Sequence, residues 1–146
     1  MPQPSQPVRV LVVDDEHLIA DTLCKILQMR GFEVKTAYSG EQAVESAKVF
    51  GPDVLVTDVV MSGMNGIETG RCIQSMLPSC KVILFSGHVA TTDLLRDYDD
   101  NTFEVMLKPV HPKVFVSRVF ACSPHRQDKT AEHRVEEAVI DSLIRP

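Results

Sequence analysis

No stretch of this 146-residue chain approaches the roughly 20 consecutive apolar residues that a membrane helix requires, so a transmembrane role is excluded. The opening residues, Met1-Pro2-Gln3-Pro4-Ser5-Gln6-Pro7, have neither the basic start nor the apolar stretch of a secretion signal. Residues 1–7 are therefore expected to form a disordered leader, and the protein to be cytoplasmic. Basic residues are outnumbered, 15 Lys and Arg against 20 Asp and Glu, for a net charge of −5. Binding of nucleic-acid phosphate asks for a basic face, so no nucleic acid is expected as a partner, and no membrane either. The four cysteines (Cys24, Cys72, Cys80 and Cys122) contain no C-x-x-C pair. Three lie in or beside apolar patterns, where a free cysteine acts as a small buried hydrophobe rather than a metal or redox ligand. There is no internal repeat, and the only biased tract is the Pro/Gln leader.

What remains is an ordinary globular composition, 44% hydrophobic and 24% charged, at a length suited to one domain. Strand-like and helix-like segments alternate. Val8–Val13 is followed by a helical segment from about Glu16 to Arg30, with Leu18, Ile19, Leu23, Ile26 and Leu27 at helical spacing and Gly31 as its stop. Phe32–Ala37 is strand-like, and Ser39 can cap a helix running to Phe50 that carries Glu41 and Gln42 in its first turn. The strand Asp53–Thr57, the helix Asn65–Leu77, the strand Lys81–Phe85 and a short polar helix over Thr91–Tyr98 follow. The strand Phe103–Leu107 and the helix Pro112–Ala121 complete the series. The strands read as apolar almost throughout, the pattern of a parallel sheet covered on both faces. Five strands alternating with five helices predict a doubly wound α/β fold over residues 8–122. In residues 123–146, Val135, Ala138, Val139 and Leu143 share one helical face, which predicts a sixth, amphipathic helix.

In such a sheet, reaction sites lie outside the carboxyl ends of the strands. Asp14 and Asp15 end the first strand, Asp58 the third, Ser86 the fourth, and Lys108-Pro109 the fifth. Residues far apart in sequence should thus meet in one acidic crevice holding one lysine. Magnesium takes oxygen ligands, and three mutually repelling acids need a cation to remain ionised together. An aspartate can itself attack phosphorus to give an acyl phosphate, and Asp58, central in the sheet, is the best placed to do so. Lys108 would neutralise phosphoryl charge and Ser86 donate to a phosphoryl oxygen.

These residues, with Met61 and Gly66 in the loop after Asp58, make the chain resemble the response regulator receiver domain family from about Val8 to Ala121. The resemblance implies a flavodoxin-like strand order 2-1-3-4-5. It also implies phosphorylation of Asp58 by a sensor histidine kinase or histidine phosphotransfer protein, with no turnover of an external substrate. By the same carry-over, Mg2+ would be held by Asp15, Asp58 and the Val60 backbone carbonyl, with Asp14 acting through water. Lys108 and Ser86 would bind the phosphoryl group, and Lys108-Pro109 is a candidate cis peptide. Phosphorylation would reshape the face built by the fourth helix, fifth strand and fifth helix. The tail helix offers a contact for a partner or for a homodimer, or else packs on its own domain. Two other uses of such a site stay open, a phosphate-independent interaction module and a Mg2+-dependent aspartyl phosphohydrolase. The hydrolase usually wants two acids two residues apart and a cap over the substrate, whereas Asp14 and Asp15 are adjacent.

The chain departs from the family pattern at identifiable places. Ser62 stands where proline usually follows the methionine, which predicts a looser loop. Val105 stands where the family often has an aromatic switch, with Phe103 two residues away and facing the same side of the sheet. Val60 offers no side chain to orient attacking water, so a slow acyl-phosphate hydrolysis is expected. His88, two residues after the hydroxyl, reads as an exposed loop residue.

Overall fold

The computed structural model describes residues 6–87 and 103–124. Most of the leader, the Thr91–Tyr98 segment, His88 and the expected tail helix lie outside the described residues. The strands are β1 (Arg9–Val13), β2 (Glu33–Ala37), β3 (Val54–Asp58), β4 (Lys81–Ser86) and β5 (Phe103–Leu107). The helices are α1 (His17–Gln28), α2 (Gly40–Phe50), α3 (Gly66–Met76) and α4 (Pro112–Ala121), so the described residues carry four of the five expected flanking helices. All strand pairs are parallel, in the order β2-β1-β3-β4-β5.

Side chains alternate across the sheet and both faces are buried. Val10, Val12, Val54, Val56, Ile83 and Phe85 join one core with Leu27 of α1 and Phe115 and Val119 of α4. Leu11, Val13, Leu55, Val82 and Leu84 join the opposite core with Ala43 and Ala47 of α2 and Ile67 and Ile73 of α3. The unbroken apolar pattern expected of every strand holds for β1, β3 and β4 but fails for β2 and β5. β2 alternates exposed and half-buried residues up to Ala37, and only Met106 of β5 is buried. Those two strands are the edges of the sheet, where helices cover less of each face.

Local sequence sets the element ends. Ser39 Oγ accepts from the Gln42 N–H while Gln42 Oε1 accepts from the Tyr38 N–H, a reciprocal capping arrangement at the start of α2. Gly51 ends α2 in the left-handed conformation that glycine adopts without strain. Asn65 caps α3 through the Glu68 N–H, and the His111 ring caps α4 through the Lys113 N–H with Pro112 at the first turn. Glu16, the N-cap of α1, makes no side-chain cap bond; its own N–H donates to Asp14 Oδ1 at 2.9 Å in the turn that leads into the helix.

Candidate functional site

The acidic crevice forms where β1 and β3 end. One carboxylate oxygen each from Asp14, Asp15 and Asp58 lies within 4.8 Å of the others. Asp14 is buried, Asp58 half-buried and Asp15 exposed, so the cluster opens to solvent on the Asp15 side. Lys108, from the end of β5, reaches into it: Nζ stands 3.4 Å from Asp14 Oδ2 and 3.4 Å from Asp58 Oδ1. The Lys108 backbone is fixed by its N–H, which donates to the Ser86 carbonyl at 2.8 Å. Ser86 is itself buried, and the Lys108–Pro109 peptide is cis.

Lys108 thus pairs with two of the three acids, Asp14 and Asp58. Burial raises the Asp58 carboxyl above its ordinary range and Asp14 pushes it the same way, while Lys108 draws it down. A group of hard oxygen donors with surplus negative charge and no nearby sulfur or imidazole in the set suits Mg2+. The residues present therefore fit that ion.

Asp58 is followed by a tightly held loop. Val59 N–H donates to Phe85 O at 3.0 Å, and Gly66 N–H returns to Val59 O at 2.8 Å. Ser62 N–H lies 3.4 Å from Asp15 Oδ2, and Met64 N–H donates to Glu41 Oε1 at 2.8 Å. The loop that Ser62 was expected to loosen is thus tied to two neighbouring elements. Val59 and Met61 are buried, whereas the Val60 side chain is 57% exposed. From sequence Glu41 reads only as a first-turn residue of α2; its bond to a loop 23 residues away has no sequence signature. Its carboxyl is held below the ordinary range by the Met64 N–H first and by its own backbone N–H second.

Phe103 is half-buried and packs against the core on the α2/α3 face, where Gly70 leaves room for its ring: a Cβ on Gly70 would lie 3.2 Å from Phe103 Cζ. Val105 is exposed along the same edge strand. Neither supplies a swinging aromatic at the expected switch position. Of the cysteines expected to be buried, Cys80 is, whereas Cys24, Cys72 and Cys122 are half-buried. Burial pushes the Cys80 and Cys122 thiols up to about 12, with Glu104 adding to the effect at Cys122.

A parallel doubly wound sheet with an acid triplet and a lysine at its carboxyl edge defines a class of signalling module rather than a general α/β scaffold. The chain belongs to the response regulator receiver domain family, whose model matches residues 10–120. It is 29% identical over 124 residues to the DNA-binding response regulator MtrA of Mycolicibacterium smegmatis, a match covering 85% of this chain and 54% of the relative. It is 32% identical over 116 residues to the probable transcriptional regulatory protein TcrX of Mycobacterium tuberculosis, covering 80% of this chain and 50% of the relative. A response regulator receiver domain protein from Clostridium thermocellum superposes with a TM-score of 0.73 at 25% identity, over 85% of this chain and 98% of that one. The chain spans about half the length of the curated relatives it matches. The Mycolicibacterium smegmatis relative is named as DNA-binding, and about half of its length lies outside the match to this chain. Among the described residues, no helix is long and apolar enough to cross a membrane.

Proposed function

We propose that this receiver accepts a phosphoryl group on Asp58 from the phosphohistidine of a sensor kinase or histidine phosphotransfer protein. The observation that carries this reading is the placement of Lys108 Nζ at 3.4 Å from both Asp14 and Asp58, with the three carboxylates clustered beside it. An Asp58 carboxylate oxygen attacks phosphorus, the phosphorus–nitrogen bond to the donor breaks, and the imidazole leaves with the bonding pair. Lys108 exchanges part of its contact with Asp58 for a phosphoryl oxygen, and the Ser86 hydroxyl donates to another. Asp14, Asp15, Asp58 and the Val60 carbonyl would hold Mg2+, which neutralises charge on the transferring group. No external substrate is turned over.

Phosphorylation then biases a conformational equilibrium, and a swing from 1:99 to 99:1 would need about 5.5 kcal/mol of differential interaction. With valine at position 105 and Phe103 packed beside Gly70, the usual switch position offers no aromatic rotamer for the readout. Displacement of Lys108 and of the β4–β5 edge is the route that remains among these residues. A cytoplasmic setting, a downstream protein or DNA target and a homodimer through the β5–α4 face fit this role. The exposed Val60 offers no group to orient water, which favours a long-lived acyl phosphate.

Intact-mass spectrometry after incubation with a small phosphodonor and Mg2+ tests the proposal. One added phosphoryl group, lost on mild base treatment and absent in Asp58→Asn, supports it. A folded, Mg2+-binding wild type that takes no label would instead mark a phosphate-independent interaction module.

A further inference from the structure

The loop between β3 and α3 carries the backbone carbonyl assigned to the metal, yet it lacks the proline that would stiffen it after Met61. Something else must hold it. Glu41 sits in the first turn of α2, where an acidic residue ordinarily serves as a helix cap or complements the macrodipole. Here the capping work is done by its neighbours, Ser39 and Gln42, which satisfy the Gln42 and Tyr38 N–H groups. The Glu41 carboxylate is left to reach across to the loop, where Oε1 accepts the Met64 N–H at 2.8 Å.

The loop backbone is shaped to receive it. Gly63 adopts φ +76, and a Cβ there would lie 2.8 Å from Glu41 Oε1. Glycine at this position therefore serves the turn and the approach of the carboxylate together. On the other side, Ser62 N–H faces Asp15 Oδ2 at 3.4 Å. Two successive anchors, one from α2 and one from the acid cluster, thus flank Gly63 and bracket the segment that leads back through Met61 to Val60.

We propose that Glu41 is a positioning residue for the phosphoryl site, holding the 59–65 loop so that the Val60 carbonyl faces the acid cluster. This role rests on the functional reading above, in which that carbonyl and the three aspartates hold Mg2+. Glu41 touches neither the ion nor the phosphoryl group. It acts through the Met64 amide and the loop backbone, as partners outside a metal's ligand set commonly fix the ligands within it.

The test uses the full chain with Glu41→Ala and Glu41→Gln, with Mg2+ as the probe. Affinity is followed by calorimetry and the Met64 amide by NMR. Glu41→Ala should weaken Mg2+ binding about 10-fold and shift the Met64 amide upfield with faster hydrogen exchange. Its melting temperature should stay close to that of wild type. Glu41→Gln, whose amide oxygen still accepts, should recover most of the affinity. Wild-type Mg2+ affinity in Glu41→Ala, with the Met64 amide visibly released, would overturn the positioning role and leave the functional reading standing. A wild type that binds no Mg2+ would sink both. A fall in melting temperature with Mg2+ affinity unchanged would reduce Glu41 to a structural contact and overturn the proposal too.

Discussion

Replacing Gly66 by alanine should damage the site from within the backbone. Gly66 opens α3 directly behind the phosphoacceptor strand, and its N–H closes the loop onto Val59 O. A Cβ built there falls onto the Asp58 carbonyl oxygen and lies 2.9 Å from both Asp58 C and Val59 Cα. All three atoms are main chain, so no side-chain rotation relieves the clash. The end of β3 and the start of α3 must separate by more than about 1 Å to restore ordinary contact. Overpacking of this kind costs about 1–3 kcal/mol, and a backbone obstacle belongs at the upper end. The better helix propensity of alanine returns at most ~1 kcal/mol, and less at a first-turn position. A net loss of about 2 kcal/mol lowers the melting temperature of a domain this size by roughly 6–12 °C.

The chain has no tryptophan, so circular dichroism is the suitable probe for thermal and urea melts. Phosphorylation by a small phosphodonor, measured well below the melting temperature, should fall by at least about tenfold, because the displaced atoms carry Asp58 itself. Gly31→Ala and Gly51→Ala give the contrast. Both have open space around the would-be Cβ but positive φ, so they should cost about 1–2 kcal/mol each and leave phosphorylation unchanged. A Gly66→Ala protein that melts within about 2 °C of wild type and accepts phosphate normally would refute the steric reasoning.

Three further outcomes follow from the charges and thiols. Because the folded Asp58 pKa is raised above its ordinary 3.8, the stability this group contributes is present below that value and lost as pH rises through the folded one. Asp58→Asn should therefore gain stability over metal-free wild type as pH rises from 4 to 7; a gap that does not change with pH across that range contradicts this. Lys108→Ala leaves the buried Asp14 carboxylate without its cation and should cost about 1–3 kcal/mol in urea titrations without metal. Added Mg2+ should narrow that loss, and equal stability with and without the lysine would rule the pairing out. Cys80 and Cys122, with thiols pushed up to about 12, should resist a disulfide reagent at pH 8 while the protein is folded and react fully in urea, as read by peptide mass mapping.

Much of this was legible in the sequence because the signals were local or topological. The runs ending in Asp15, Asp58, Ser86 and Lys108 needed only the rule that parallel strands deliver their carboxyl ends to one crevice. Gly51 and Ser39 marked the ends of α2 by conformational preference alone. The exposure of β2 and β5 was open to reading, since the implied strand order puts both at the edges and Glu33, Lys35 and Glu104 interrupt their apolar runs; reading every strand as apolar throughout passed over those residues. The bond from the Glu16 N–H to Asp14 was hidden because Glu16 looked like the start of the helix. Glu41 was missed for a deeper reason. A bond between a carboxylate and a main-chain amide 23 residues away leaves no mark in residue type at the amide end, and only Gly63 hints at it.

The final rung of the β4–β5 ladder, where the Lys108 N–H meets the Ser86 carbonyl, has a consequence for how the module can answer its input. The hydroxyl and the cation that would meet an added anion stand on adjoining strands, joined at this rung and along the ladder from Val82 and Phe103 to Ser86 and Leu107. In the proposed phosphorylated state both side chains contact the same phosphoryl group, so for phosphorylation Ser86→Ala combined with Lys108→Ala should do less harm than the two single losses added together. An added anion at that end would be met from two adjoining strands at once.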